Sequence, residues 1–540
     1  MTQRKHLLAP AALALVAFLV RFRFSGYDRI VWGDEPFYLW LGRNWLAGRG
    51  YSFAFTGHFD YHHTPGYPLI SALLFRLTGD LGRASEWSHI LFGVLLTLAL
   101  YALARRIYGP ASALAAGGLA ALTPATALMP LFWGTATETP YLALVVTGLF
   151  FAHRVYQHWR WADSVLAALF LALAYYVRPE GIVFWGAIGL ILGLRALARP
   201  PRLRRLAHPA LIGVLFLLFL TPYLWQVRQA TGQWMLSQKV GAHFATAQGL
   251  SEGSHIRFDQ ETWGLDSSGR EVWFFSEETA NASALDYILA DPGNYARVLY
   301  SNARKLLSQL IGPRLLPAFL APFLFLALFR RAWDRRRLGD EGFLLITLLP
   351  GLSFILFLVL ERYIVALIPT LLIWAGHGVA ESGAWLQETA RTLAPARARL
   401  TRGLAWLPIA LLFLFLALWT PRQLGIVYFG GVSFNHLQAG AALAPAVAPG
   451  DIVMSRYPAI AFHAGAEWVP TPAADLAEVL AYARHKGVDF WAIAAEEAAS
   501  LRPQFLPLLA QPDAARPGLT YLLTVRQGEE AVALYRLAAP

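Results

Sequence analysis

Residues 202–226 read RLRRLAHPALIGVLFLLFLTPYLWQ, and this stretch decides the class of the protein. Three arginines lead into residues 209–226, which contain no Lys, Arg, Asp or Glu. At about 1.5 Å of rise per residue, such a run is close to the roughly 20 residues that carry a helix across a hydrocarbon layer about 30 Å thick. A basic flank beside an apolar run also gives it a direction, because Lys and Arg collect on the cytoplasmic side. Ten further apolar runs flank this one, at about 7–24, 88–104, 110–128, 139–153, 163–177, 181–197, 315–329, 342–360, 363–379 and 404–420.

Composition supports this reading. Of 540 residues, 56% are hydrophobic and 15% charged, with mean hydropathy +0.44. Soluble domains carry about 25% charged residues. The shortage leaves too few charges to cover a soluble surface, which excludes an ordinary cytosolic enzyme and a disordered chain. The absence of cysteine excludes a disulfide scaffold, a thiolate zinc site, an iron–sulfur cluster and a cysteine nucleophile, and says nothing of redox compartment. The net charge of +11 raises the question of nucleic acid. With the N-terminus in the cytoplasm, however, the segments expected inside carry 20 Lys and Arg against 6 Asp and Glu, and the rest of the chain carries 25 against 28. The basic excess records orientation, and no nucleic-acid partner is expected.

The expected fold is an all-α polytopic membrane protein of about eleven transmembrane helices with a small C-terminal α/β extracytoplasmic domain, placed in the inner (plasma) membrane. The first span is read as a helix and not as a cleaved signal. Phe18–Phe24 puts arginines and aromatics where a small-residue cleavage site belongs, and its removal would upset the charge pattern. Residues 1–420 form the membrane domain. Its outer loop 25–87 holds an amphipathic stretch at Phe37–Trp45 and an apolar one at 68–79, too short to cross, both suited to the interface. The outer loop 227–312 mixes polar residues with Trp263, Trp273, Phe274 and Phe275, then turns helical from Pro292 to Leu310. Asn281-Ala282-Ser283 matches a glycosylation sequon, a common chance match. Residues 421–540 read as the α/β domain: a strand at 451–455, a helix at 473–485 stopped by Gly487, a strand at 488–493, and a hairpin of 521–525 and 531–536 about Gly528.

Against this apolar background a few ionisable residues stand out, expected at the outer ends of the helices. They are Asp34-Glu35 in WGDEPFY, His58, Asp60, His62 and His63 in GHFDYHHTPGYP, Glu138 in TATETP, Arg178 and Glu180 in YYVRPEG, and Glu361-Arg362-Tyr363 in LERYIVALIP. Such groups are costly at membrane depth and line cavities or pathways. Each has a plainer reading too. Asp34-Glu35 could cap a helix, Arg178 and Glu180 could simply pair, Glu361-Arg362 could mark a helix junction, and the histidines lack metal-ligand spacing and suit a polar loop.

WGDEPFY after the first span, PGYP closing the first outer loop, RPEG and RYIVALIP together resemble the GT-C glycosyltransferases. The likeness is to glycosyltransferase family 39, with its protein O-mannosyltransferases and lipid A aminoarabinose transferases, and runs over about residues 1–380. DIVMSRYP and GVDFWAIA in the tail resemble the extracytoplasmic domain of bacterial members. The resemblance implies transfer of a hexose or pentose from a polyprenyl-phosphate carrier, with inversion, to a lipid, glycan or protein acceptor on the extracytoplasmic face. It places Asp34 at the position of the base, with Glu35 orienting it or helping to bind a metal or the sugar. Arg178 and Arg362 suit the donor phosphate, joined by Glu180, Tyr363 and His63. Glu138, His58, Asp60 and His62 are candidates for a divalent cation (Mg, Mn or Zn) or for the acceptor. One departure stands out: where aminoarabinose transferases carry a lysine, this chain reads His62-His63-Thr64-Pro65, so a lysine phosphate clamp is missing.

Two rival classes are a lipid-linked glycan polymerase or assembly protein and a secondary transporter. The transporter should show an inverted repeat or broken midplane helices, and the sequence shows neither. The oligosaccharyltransferase branch should show Trp-Trp-Asp in its outer domain, where this chain has only Trp263-Gly264.

Overall fold

The computed structural model of the chain describes residues 2–25, 29–198, 200–236, 255–273, 285, 288–289, 291–393, 401–425, 434–528 and 530–538. Phe274, Phe275 and the Asn281 sequon lie outside them. The chain forms two compact units. The first comprises Met1–Asp28, Thr64–Leu236 and Ser301–Phe429, and the second Arg29–His63, Ser237–Tyr300 and Gly430–Pro540.

The first unit is helical, with helix at every one of the eleven apolar runs. These are not eleven equal crossings. Among the described residues six helical segments are long and apolar enough to cross a membrane: Leu7–Ser25, Leu81–Tyr108, Arg202–Thr231, Arg335–Leu356, Glu361–Leu393 and Gly403–Gln423. Pro110–Leu122, Trp161–Val177, Gly181–Leu197 and Ala318–Phe329 are shorter, and Glu138–His158 carries polar residues at both ends. Prolines mark the breaks. Thr123 is extended ahead of Pro124 and ends the helix expected to run to 128. In the segment Arg335–Leu356 the helix ends at Ile346 and a short one, Leu349–Leu352, restarts with Pro350 in its first turn, so the run expected at 342–360 is not one continuous helix.

Burial sorts the spans. Glu361–Leu393 has 89% of its apolar window enclosed by protein, against 22% for Leu7–Ser25 and for Gly403–Gln423. The inner helix is reached through small residues: a methyl group on Gly376 would stand 2.5 Å from the Ala116 nitrogen. The outer helices present leucines such as Leu15, Leu19, Leu411 and Leu414 outward, as a lipid-facing surface requires.

Arg21, one of the residues that made a cleavage site implausible, is fully buried. Its guanidinium donates to Ala17 O (3.1 Å), Ala120 O (3.1 Å) and Thr126 O (2.8 Å), tying the first helix to the bend at 123–126. Gly93 makes room for it, since a methyl group there would fall 1.9 Å from Arg21 Nε. Gly93→Ala should therefore overpack this contact and cost about 1–3 kcal/mol, read as a lower unfolding midpoint in detergent. An unchanged midpoint would show that Arg21 moves aside freely.

The second unit is built on a five-stranded sheet of order β2-β1-β3-β5-β4. Here β1 is Ile452–Ser455, β2 Glu467–Pro470, β3 Phe490–Ala494, β4 Leu519–Gln527 and β5 Glu530–Leu537. The first three are parallel, with Val453 opposite both Trp468 and Phe490, and β5 runs antiparallel to β3 and β4. All five residues of β3 are buried, as suits a central strand covered on both faces. Helix Leu476–His485 opens with a capping box of Asp475 and Glu478, and Gly487 and Gly528 turn the chain at φ 64° each. Short β2 and the helix Pro458–Ala464 were not foreseen.

Segments from early in the chain fasten to this sheet. Arg43 Nη2 meets both oxygens of Glu467 at 2.7 Å, and Trp40 stacks on Trp468. Asp259, fully buried, joins Arg456 (2.6 Å) to Arg502 (2.8 Å). Lys486 pairs with Glu271 at 2.6 Å.

Candidate functional site

In the second unit the sequence Trp32-Gly33-Asp34-Glu35 forms a tight turn closed by Glu35 N–H to Trp32 O at 3.2 Å. Gly33 takes φ 61°, which a side chain would resist, and Asp34 follows at φ −83°, ψ −12°. The turn opens the helix Glu35–Leu46, with Pro36 in its first turn, where no N–H is needed. Asp34 occupies the N-cap position yet its side chain makes no capping bond, so the plain capping reading does not describe it. Glu35 is fully buried and paired on both oxygens with Arg29, at 2.8 and 2.9 Å. That partner, six residues earlier, was not singled out from sequence.

The approach to this turn is also held. Val31 N–H donates to His463 Nε2 at 3.2 Å. Burial, with the Arg29 charge nearby, pushes the His463 imidazole down to about 4, so the ring stays neutral and accepting.

The histidines separate. His63 is buried: its backbone N–H donates to Asp60 Oδ2 at 2.9 Å and its Nδ1 lies 3.1 Å from the same oxygen. Burial alone would raise the Asp60 carboxyl, but the His63 imidazole outweighs it and holds the group below the usual carboxylate range. Tyr38 meets the His63 ring edge-on at 5.1 Å, with Phe37 and Phe53 each at 5.9 Å. His58 is exposed and stacks on Tyr61, and His62 meets the same ring tilted at 4.7 Å. Among the described residues no group of three or more His, Asp or Glu is disposed to hold a metal ion. Asp60 and Glu138 are each engaged by a cationic or imidazole neighbour instead.

In the first unit three motifs distant in sequence meet. Arg178, buried at the end of helix Trp161–Val177, donates to Glu138 Oε1 (2.7 Å), Thr137 Oγ1 (3.3 Å) and both oxygens of Glu180 (3.0 and 3.4 Å). Thr135 Oγ1 donates to the same Glu138 oxygen at 2.5 Å. Ala136 between the two threonines has φ 56°, a left-handed conformation that is uncommon for a residue with a side chain and that gathers at functional sites. Among the described residues, Glu138 Oε2 and the Tyr141 hydroxyl are buried without a hydrogen-bond partner.

Tyr363 links this cluster to the ERY turn, Glu361–Ile364. The Arg178 guanidinium lies over its ring at 5.4 Å and that of Arg362 at 5.3 Å. Phe354 stacks against the ring at 4.7 Å, and Glu361 faces Arg314 at 3.5 Å. Thr135, Thr137, Tyr141 and Arg314 were missed from sequence. The repeated threonines of TATET were the one available signal.

Comparison with known proteins agrees with this architecture. The family model described as dolichyl-phosphate-mannose-protein mannosyltransferase matches residues 62–225, which include His63, Glu138, Arg178 and Glu180. ArnT from Cupriavidus metallidurans, solved bound to undecaprenyl phosphate, superposes with TM-score 0.60 at 17% identity, covering 99% of this chain and 98% of that one. The oligosaccharyltransferase AglB from Archaeoglobus fulgidus, solved with an inhibitory peptide and a dolichol-phosphate, gives TM-score 0.57 at 15% identity over 92% of this chain and 70% of that one. An Archaeoglobus fulgidus oligosaccharyltransferase solved with Zn and sulfate gives TM-score 0.57 at 13% identity, over 95% of this chain and 71% of that one. No curated protein sequence matches the chain. The chain has the fold of the GT-C glycosyltransferases and resembles their family 39.

Proposed function

We propose that this chain is an integral membrane glycosyltransferase of the inner membrane that moves a hexose or pentose from a polyprenyl-phosphate carrier to an acceptor on the extracytoplasmic face, with inversion. The observation that carries the reading is the Tyr363 ring, over which lie the two arginines, Arg178 and Arg362, drawn from motifs far apart in sequence. The fold shared with ArnT and AglB, each solved with a lipid phosphate, supports the carrier.

The two arginines take different roles. A guanidinium has five N–H donors, and Arg178 uses four of them on Glu138, Thr137 and Glu180. It orients the carboxylates, which receive the sugar hydroxyls, and spares one N–H for the donor. Arg362, half-buried, makes the main charge-assisted contact to the phosphate. His63, held by Asp60 in its aromatic surround, lines the sugar. An acceptor hydroxyl attacks the anomeric carbon opposite the phosphate, Asp34 takes its proton, and the carrier phosphate leaves with the bonding electrons. Glu35, locked to Arg29, fixes the turn that presents Asp34. A phosphate acceptor would need no base, and Asp34 would then position it.

The test is transfer from radiolabelled polyprenyl-phosphate sugar in proteoliposomes. Arg362→Ala should raise the apparent donor KM about tenfold to a hundredfold, the worth of one charge-assisted contact. An unchanged donor KM would move the phosphate site elsewhere. Failure of the unaltered protein to release label from any polyprenyl-phosphate sugar would overturn the function.

A further inference from the structure

A second cluster of arginines in the first unit has no part in this chemistry. Helix Glu138–His158 ends on Trp159, whose φ of 54° is left-handed. Glycine commonly takes that position, and a tryptophan there is strained. The next residue, Arg160, is exposed. Trp161 is 46% exposed while its ring stacks on His208 at 4.1 Å, with His208 Nδ1 shared with Ser164 Oγ at 2.8 Å. The strained cap therefore holds two indoles and an arginine at the helix end.

Further guanidiniums converge on it. Arg205 lies over the Trp159 ring at 5.7 Å. Arg106, from the end of helix Leu81–Tyr108, has Arg154, Asp163, Arg160 and Asp340 as its charged neighbours. Both acids already have a cationic or imidazole partner, while Asp163 Oδ2 is itself buried without a hydrogen bond among the described residues. Asp163 is bonded by Arg154 at 3.0 Å, and Asp340 by His153 at 3.0 Å with Arg336 at 3.9 Å. Among the described residues Arg106 Nε, Arg106 Nη2 and Arg205 Nη1 are buried with no hydrogen-bond partner. A covered guanidinium nitrogen without an acceptor is costly, and three of them on two half-buried arginines, with Arg154 and the exposed Arg160 beside them, leave positive charge in excess of the two acids.

We infer that Arg106, Arg160 and Arg205, framed by Trp159 and Trp161, bind the phosphate of an anionic membrane lipid. Each part of that ligand has a counterpart. Guanidinium forks match phosphate oxygens, indoles sit at headgroup depth, and basic pockets between membrane helices recognise acidic headgroups. The charge pattern puts these residues among the segments expected inside, so the site is independent of the donor reaction. The ligand is a resident lipid and not a substrate.

Native mass spectrometry of the full chain in detergent, with added phosphatidylglycerol or phosphatidylcholine, tests this. Phosphatidylglycerol should be retained in preference. Arg106→Gln and Arg160→Gln should each weaken its retention roughly fivefold, the double substitution should abolish the preference, and Arg106→Lys should keep most of it. Arg160 lies exposed beyond the helix, so its substitution reports on binding without threatening the fold. Equal retention of the two lipids by the unaltered protein, or an undiminished preference in the double variant, would overturn the inference. Millimolar inorganic phosphate should leave phosphatidylglycerol bound, because the acyl chains hold it too. Displacement by phosphate alone would assign the site to the free ion and refute the lipid.

Discussion

Asp34→Asn should abolish sugar transfer in proteoliposomes, lowering kcat by about 10³-fold, within the range that general-base catalysis supplies, while leaving donor affinity essentially unchanged. The substitution keeps the size of the side chain and its place at the head of helix Glu35–Leu46, and removes only basicity and charge. Because the amide has nearly the same shape as the carboxylate it replaces, the loss should not come with unfolding, and an unchanged unfolding midpoint would document this. Glu35→Gln is the instructive contrast. It removes one charge from a fully buried pair with Arg29 and should lower stability before it affects chemistry. Wild-type kcat in Asp34→Asn at intact donor affinity would remove Asp34 from the reaction. A selective rise in donor KM would instead make it a donor ligand.

Much of this arrangement was legible in the sequence for one physical reason: a chain with few charges makes each charge informative. Every apolar run fell on helix because lipid and protein core demand the same apolar residues. The run lengths were less informative, since helices break ahead of Pro124 and Pro350 while the hydropathy continues unbroken. In the tail, β1, β3 and the hairpin showed as short apolar runs bounded by turn residues, whereas β2 is four residues ending in proline and has no signature of its own. Pairings were the least readable. Nothing in sequence says that Glu35 belongs to Arg29 and not to a substrate, or that Arg178 arrives already bonded to two carboxylates. The histidines illustrate both sides. The loop reading suits His58 and His62, but His63 is a buried partner of Asp60, and the three-residue spacing that pairs them is ordinary in any turn.

The Arg178 cluster yields the largest effect on stability. Arg178→Ala leaves the fully buried Glu138 and its neighbour Glu180 without their cation, and breaking a buried pair on one side costs about 3–5 kcal/mol. The unfolding midpoint in detergent should drop clearly and transfer should be lost with it, a result that does not separate folding from function. The double substitution Arg178→Met with Glu138→Leu does. Replacing both members of a buried pair by apolar groups of similar volume is often neutral or stabilising, so the midpoint should recover most of the loss, and Glu180, at the helix boundary, keeps some solvent. Transfer should stay depressed by at least a hundredfold if, as proposed, Glu138 receives the sugar and Arg178 orients it, since both groups are gone. Recovery of transfer together with stability would make the pair a structural brace and remove it from the donor site. A single variant as stable as the original chain would show that solvent reaches Glu138 once Arg178 is removed, and that the pair contributes little to folding.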